Sequence, residues 1–393
     1  MTMFMFMGLR CCCRITMKKA SALVLQFLLV GFASAADLLQ NADFESPPPG
    51  FPANSTAPFL LGQNDTLPGW SFGGEVYYLT ASGGGHAVQL GQDGTINQTF
   101  AASADFADYL VTFAVASSGG ANCSSNGSVV ISAPDSQGVF PVGEQRAVYG
   151  LFLGSWGDGE AIDLVIASET TESDTNATCW PAVDSIVLKS IASLVKANDN
   201  ELVNGGFEFG PDFLPDSTEG VLLQPAQSPV QSPLIQWAIL GTVKYIDSKH
   251  YFVPQGNAAI ELVSGNSTGI QTAAQLTKDS SYTLEFMLGD GNNSCIGDLE
   301  VRAQAGSVLQ NYTIQSKGTG SAQKFSFKFK ADSDTGTTPI SFVSYTSSQT
   351  KDGVLCGPVV DDVVLRASLG LRLAIQWRFL LSPLLLVAHV MNK

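Results

Sequence analysis

The sequence predicts an all-β protein built as two tandem jelly-roll β-sandwiches. Three observations carry that prediction. The middle of the chain is written twice. Short β-rich runs recur between clusters of Gly, Asn, Asp, Ser and Pro every 8–15 residues. No long stretch of 3.6-residue period interrupts them. Many short strands over about 160 residues per copy are the pattern of a two-sheet sandwich.

The repeat is legible residue by residue. Asn41-Ala-Asp-Phe44-Glu45 returns as Asn204-Gly-Gly-Phe207-Glu208, and Trp70 with Val76-Tyr77-Tyr78 returns as Trp237 with Val243-Lys244-Tyr245. Ala87-Val-Gln-Leu90 returns as Ala259-Ile-Glu-Leu262, and Tyr109-Leu-Val-Thr-Phe113 as Tyr282-Thr-Leu-Glu-Phe286. The copies close on Cys179-Trp-Pro-Ala-Val-Asp184-Ser-Ile-Val-Leu188 and Cys356-Gly-Pro-Val-Val-Asp361-Asp-Val-Val-Leu365, identical at six of ten positions. The offset grows from 163 to 177 along the copy, as loop insertion requires. The modules are expected at 37–190 and 199–366, with 189–200 as a polar linker.

Both ends read as processing signals. Arg10, Arg14, Lys18 and Lys19 precede an apolar run from Ala20 to Phe32 and a small-x-small site, Ala33-Ser34-Ala35. Residues 1–35 are therefore expected to be a secretory signal peptide, the run being shorter than the roughly 20 residues of a membrane span. Residues 368–393 combine small residues, a spacer and the apolar stretch Phe379–Val390. They read as a glycosylphosphatidylinositol attachment signal with Ser368 or Gly370 as the acceptor. A tail-anchored span or a cryptic hydrophobic end are the alternatives. The expected location is secreted, at the outer face of the plasma membrane.

Cys11, Cys12 and Cys13 leave with the signal, so Cys123, Cys179, Cys295 and Cys356 remain, in an oxidising compartment. Their matching positions make 123–179 and 295–356 the economical pairing among three connectivities. Nine Asn-x-Ser/Thr sequons, at Asn54, Asn64, Asn97, Asn122, Asn126, Asn176, Asn266, Asn292 and Asn311, suit a glycosylated surface protein. The chain has 20 basic and 35 acidic residues. Seven of the bases and none of the acids lie in the two ends, so 37–366 carries 13 bases and a net charge of −22. That excludes nucleic acid as a natural partner and favours basic proteins. Low charge (14%) with 45% hydrophobic residues argues against disorder. Three histidines leave little room for histidine-based metal catalysis.

Three segments of the second copy carry a resemblance. They are Val243-Lys-Tyr-Ile-Asp247-Ser-Lys-His250-Tyr-Phe-Val-Pro254-Gln-Gly256-Asn-Ala-Ala-Ile-Glu261-Leu-Val263, Leu288-Gly-Asp-Gly-Asn-Asn-Ser-Cys295, and Cys356-Gly-Pro-Val-Val-Asp-Asp362. With Leu67-Pro-Gly-Trp70 and Ala87-Val-Gln-Leu-Gly91 of the first copy, they resemble the plant cell-wall family of domain of unknown function 642. The similarity covers 37–366. The first copy departs from the pattern at Trp180 and at Gly-Gly-Gly-His86. The resemblance implies tandem galactose-binding-like sandwiches in the plant apoplast and no established catalytic activity. It also implies association with the cell wall, contact with cellulose or pectin, and interaction with pectin methylesterases.

The residues offer little for catalysis. Gly265-Asn266-Ser267-Thr268-Gly269 matches the Gly-x-Ser-x-Gly pattern, but it joins two expected strands, and the only later histidine, His389, sits in the tail. Asp247 with His250 is a possible acid/base pair in type only, and no pair of carboxylates stands out. Glu45 with Asp184, and Glu208 with Asp361, recur at the first and last strands of each copy. They fit either a structural calcium or carboxylates bonding main-chain amides at strand ends. Sugar binding uses aromatic platforms, for which Tyr77, Tyr78, Trp156, Tyr245 and Tyr251 are the candidates. Trp70, Trp237, Phe44 and Phe207 read as core. The function expected is non-enzymatic binding of wall polysaccharide. The alternative is a scaffold that docks and modulates a pectin methylesterase.

Overall fold

The computed structural model describes residues 38–368 apart from 53, 54, 56, 82, 83, 104, 105, 118–126, 144, 171–179, 198, 216, 264, 294 and 348–355. The expected signal peptide, Gly370 and the apolar tail, Asn54, Asn122, Asn126, Asn176, Cys123 and Cys179 lie outside the described residues.

The first module runs β1 (Phe59–Leu60), β2 (Ser71–Gly73), β3 (Val76–Thr80), β4 (His86–Leu90), β5 (Thr95–Ala101), β6 (Ala107–Ser117), β7 (Ser128–Ala133), β8 (Ser136–Pro141), β9 (Ala147–Trp156), β10 (Ala161–Ser168) and β11 (Pro181–Ala192). The second runs β12 (Val221–Leu223), β13 (Ala238–Leu240), β14 (Val243–Asp247), β15 (Ala258–Glu261), β16 (Gly269–Gln275), β17 (Ser281–Asp290), β18 (Ile296–Ala305), β19 (Val308–Lys317), β20 (Ser321–Lys330), β21 (Thr337–Ser344) and β22 (Val359–Ala367). One face of the first module is β2-β5-β10-β7-β8 and the other β1-β3-β4-β11-β6-β9; the second module repeats both orders eleven strands later. Each module is thus a sandwich of a five-stranded and a six-stranded sheet.

Local sequence explains the layers. β6 is buried along most of its length because its Tyr-Leu-Val-Thr-Phe-Ala-Val run lies centrally, between β9 and β11. β5, β16 and β20 alternate buried and solvent-facing residues, the period-2 signature of a sheet wet on one side. Phe44, Trp70, Tyr78, Tyr109, Phe113 and Phe140 fill the first core; Phe207, Trp237, Tyr245, Phe286 and Phe342 fill the second. The Cys295–Cys356 disulfide is formed.

The modules are not beads on a string. β9 ends the first module's six-stranded sheet and pairs in parallel with β12, so the two halves make one 12-stranded sheet. Gly150 permits this contact: a Cβ there would stand 2.8 Å from Leu223 Cδ2 and 2.9 Å from Pro211 Cγ. Lys189 pairs with Asp212 at 2.7 Å and Arg146 with Glu219 at 3.9 Å across the junction. The segment expected as linker begins inside β11, and its Ile191 packs with Leu110, Phe152 and Ile235. Three large apolar residues, at 191, 194 and 195, were too few to reveal that burial from sequence.

Candidate ligand-binding clefts

The repeated Asn-x-x-Phe-Glu start builds the same clamp twice. Asn41 and Asn204 adopt positive φ (48° and 53°), as do Phe44 and Phe207 (55° and 52°), folding the start into a tight loop. The Asn41 amide donates to Ser46 O and Pro68 O; that of Asn204 donates to Phe209 O and Leu234 O. The hydroxyl of Tyr78 then donates to Phe44 O at 2.6 Å, and that of Tyr245 to Phe207 O at 2.8 Å. Trp70 and Trp237 donate likewise to Asn41 O and Val203 O.

This geometry corrects the expected sugar platform. Tyr78, Tyr245 and Trp156 are core residues, and none of them presents a ring to solvent. Burial pushes the phenols of Tyr78 and Tyr245 up, next to Glu45 and Glu208 respectively. Trp156 packs on Tyr109 and donates to Asp135 at 2.9 Å. Tyr77 and Tyr251 are half-buried: Tyr77 faces Gln89 across β3 and β4, and the Tyr251 hydroxyl accepts the Gly220 N–H. A tyrosine that caps a main-chain carbonyl and one that stacks on a sugar look identical in sequence.

Three of the four acidic residues at the module ends hold loops. Glu45 accepts from the His86 N–H at 2.7 Å and faces His86 Nδ1 at 2.9 Å. Glu208 accepts from the Asn257 N–H at 2.8 Å and its side-chain amide at 3.1 Å. Asp361 is fully buried and accepts the N–H groups of Gln255 and Asp362. Burial raises its carboxyl to about 7 and raises that of Asp184 as well. The oxygens of Glu45, Glu208 and Asp361 thus face N–H donors, which is the second of the two uses the sequence allowed for them. Among the described residues no three His, Cys, Asp or Glu side chains converge as a metal set. Asp247 likewise accepts the N–H of His250 and faces its ring at 3.0 Å, closing a turn. Gly265–Gly269 joins β15 to β16, strand to strand, which is not the strand-to-helix turn of a nucleophile elbow.

Clefts among the described residues include two that concern the site. One, of about 570 Å³, lies beside edge strand β2 and is lined by residues that include Gln63, Asp65, Thr66, Trp70, Ser71 and Phe72. The other, of about 190 Å³, lies on the outer face of the second five-stranded sheet, lined by Glu300, Val301, Arg302, Asn311, Thr313 and Tyr345. Strand register assembles it: Arg302 stands opposite Asn311 and Val343, Glu300 stands opposite Thr313, and the Tyr345 N–H donates to Glu300 O. Arg302 Nε donates to Asn311 Oδ1 at 2.9 Å, and the guanidinium lies 4.3 Å from the centre of the Tyr345 ring. Among the chain's tyrosines and the described tryptophans, Tyr345 alone is exposed. Only Asn311 of this group was singled out by sequence, as a sequon. The available signal was the alternation Glu300-x-Arg302 and Asn311-x-Thr313, which puts all four side chains on one face.

Fold and surface define a tandem β-sandwich protein with shallow polar clefts. The chain belongs to the family described as "Protein of unknown function (DUF642)", whose model matches residues 37–189 and 200–366. Among its Arabidopsis thaliana relatives, Protein DUF642 L-GALACTONO-1,4-LACTONE-RESPONSIVE GENE 2 is 33% identical over 344 residues, covering 84% of this chain and 90% of that protein. Protein TEEBE is 31% identical over the same shares. Neither name is that of an enzyme. Among solved structures, the CBM22-1-CBM22-2 tandem of Paenibacillus barcinonensis Xyn10C covers 81% of this chain and all of its own, at 13% identity and a TM-score of 0.27. TmCBM61, solved with β-1,4-galactotriose, covers 43% of this chain and 99% of its own, at 16% identity and a TM-score of 0.28. Superposition this loose adds nothing to the function of the clefts.

Proposed function

We propose that this protein is a non-catalytic, secreted wall protein that binds wall polysaccharide, cellulose or pectin, with the cleft around Arg302 and Tyr345 as its contact. The exposure of Tyr345 is the observation that carries this reading. An exposed ring offers an apolar face to the C–H side of a pyranose. Arg302 donates only, Glu300 accepts, and Asn311 and Thr313 do both, so hydroxyls of either sense find partners. In this reading the signal peptide and a lipid anchor at Ser368 or Gly370 hold the modules at the cell surface. Ser368 directly follows β22, its N–H bonded to Ser281 O.

A second reading is docking to a basic protein such as a pectin methylesterase. It is favoured by charge: residues 37–189 hold 17 acidic residues and only two bases, Arg146 and Lys189. Both bases pair across the junction with Glu219 and Asp212, so the first module offers a partner an almost purely anionic surface.

The test is retention of secreted 37–366 on immobilised wall polysaccharides in low and high salt. Tyr345→Ala and Arg302→Ala are expected to weaken retention at least tenfold while leaving the thermal midpoint within a few degrees. Retention unchanged in both variants would remove the cleft from the reading. Silence toward every polymer, with salt-sensitive capture of a basic esterase, would put docking in its place.

A further inference from the structure

The cleft that holds Arg302 and Tyr345 contains an N-glycosylation sequon within its own wall. Asn311-Tyr312-Thr313 lies on β19, the outermost strand of the second five-stranded sheet, and Asn311 and Thr313 are both exposed on the cleft face. Arg302 fixes how the Asn311 amide is turned. A guanidinium N–H can only donate, so the atom 2.9 Å from Arg302 Nε is the amide oxygen. The amide nitrogen, the atom to which an N-linked sugar attaches, is therefore not the atom that Arg302 holds, and it has no hydrogen-bond partner among the described residues. The other exposed sequons described, at Asn64, Asn266 and Asn292, line neither cleft.

We propose that N-glycosylation of Asn311 closes this cleft by seating the first N-acetylglucosamine beside Arg302 and Tyr345, so that the glycan and an external polysaccharide exclude each other. The proposal rests on the reading of the cleft as the polysaccharide contact. At about 190 Å³ the cleft is smaller than the roughly 300 Å³ at which drug-sized sites begin, so one sugar ring occupies it. A glycan tethered to the wall is present at high effective concentration and outcompetes a free chain end. Two glycoforms of one sequence then differ in wall affinity: the unmodified form binds and the modified form does not.

The experiment compares five forms of secreted 37–366 on the polymer that retains the protein. They are the natural sequence with glycan at Asn311 verified by mass spectrometry, the same form trimmed by an endoglycosidase to a single N-acetylglucosamine, the natural sequence with Asn311 unoccupied, and Tyr345→Ala with Asn311 occupied and unoccupied. The unoccupied form is expected to bind at least tenfold more tightly than the glycosylated form, and the single-sugar form to stay weak. Equal affinity of the glycosylated and unoccupied forms, with loss only on Tyr345→Ala, overturns the closure and leaves the binding reading standing. Recovery in the trimmed form also overturns it, because the obstruction would then come from outer sugars. A glycan absent from Asn311 in every secreted preparation overturns it outright.

Thermal unfolding supplies a readout independent of polysaccharide. The glycan is expected to raise the midpoint, and Tyr345→Ala to erase that rise. If no form binds any polymer, the erased rise still supports the seat while the external binding falls; no rise removes both.

Discussion

Asp361 shows what burial does to one side chain. It lies fully inside the closing strand, bonded by two main-chain amides, and its carboxyl is raised to about 7, chiefly by loss of water. The unfolded group titrates near 3.8, so between about pH 4 and 7 the folded chain holds a proton that the unfolded chain has released. Stability from this group is therefore full below that window and falls as pH rises through it, by at most about 1.4 kcal/mol per pH unit. Asp184 is raised too and acts in the same direction. Urea melts at pH 4.5, 6 and 7.5 are expected to show Asp361→Asn with a flatter profile than the natural chain. Parallel profiles would contradict this. At this scale the sequence identified Phe44, Phe207, Trp70 and Trp237 as core, but it misread Tyr78, Tyr245 and Trp156. Their fate hangs on a carbonyl or carboxylate brought to them from 20 or more residues away.

At the scale of paired strands, the two modules solve one position differently. Lys244 on β14 stands opposite Glu261 on β15; at the equivalent register Tyr77 on β3 stands opposite Gln89 on β4. Glu261 is fully buried, accepts the Gly357 N–H, and pairs with Lys244 at 3.3 Å. Breaking a buried pair from one side strands a charge. Lys244→Tyr alone is therefore expected to cost about 3–5 kcal/mol. Lys244→Tyr with Glu261→Gln, which transplants the first module's pair, is expected to recover most of that in guanidinium unfolding. A double variant no better than the single would mean that the two sites are not interchangeable. Some of the strands were legible, because period-2 runs such as 282–287 and 324–329 show which face is wet. Which residues of neighbouring strands meet on that face was not, and the cleft at Arg302 is such a meeting.

For the whole molecule, the parallel pairing of β9 with β12 joins two modules that sequence presented as separate. Calorimetry of 37–366 is expected to show one transition. Gly150→Val, which places a branched side chain against Leu223, Pro211 and Val221, is expected to split it in two. A single transition for the variant, or two for the natural chain, would show that the junction does not couple the modules. The junction also takes up both bases of the first module, so its charge contrast with the second, −15 against −7, comes with almost no free cation on the first.

By itself the sequence determined the repeat, the β class and family membership, because each depends on residues close together in the chain or on one copy matching the other. Only the tertiary structure decided which tyrosine faces solvent, how the end carboxylates are used, and that one cleft gathers Glu300, Arg302, Asn311, Thr313 and Tyr345. Those outcomes depend on strand order and register, which bring side chains from distant turns onto one face and leave no periodic trace in the chain.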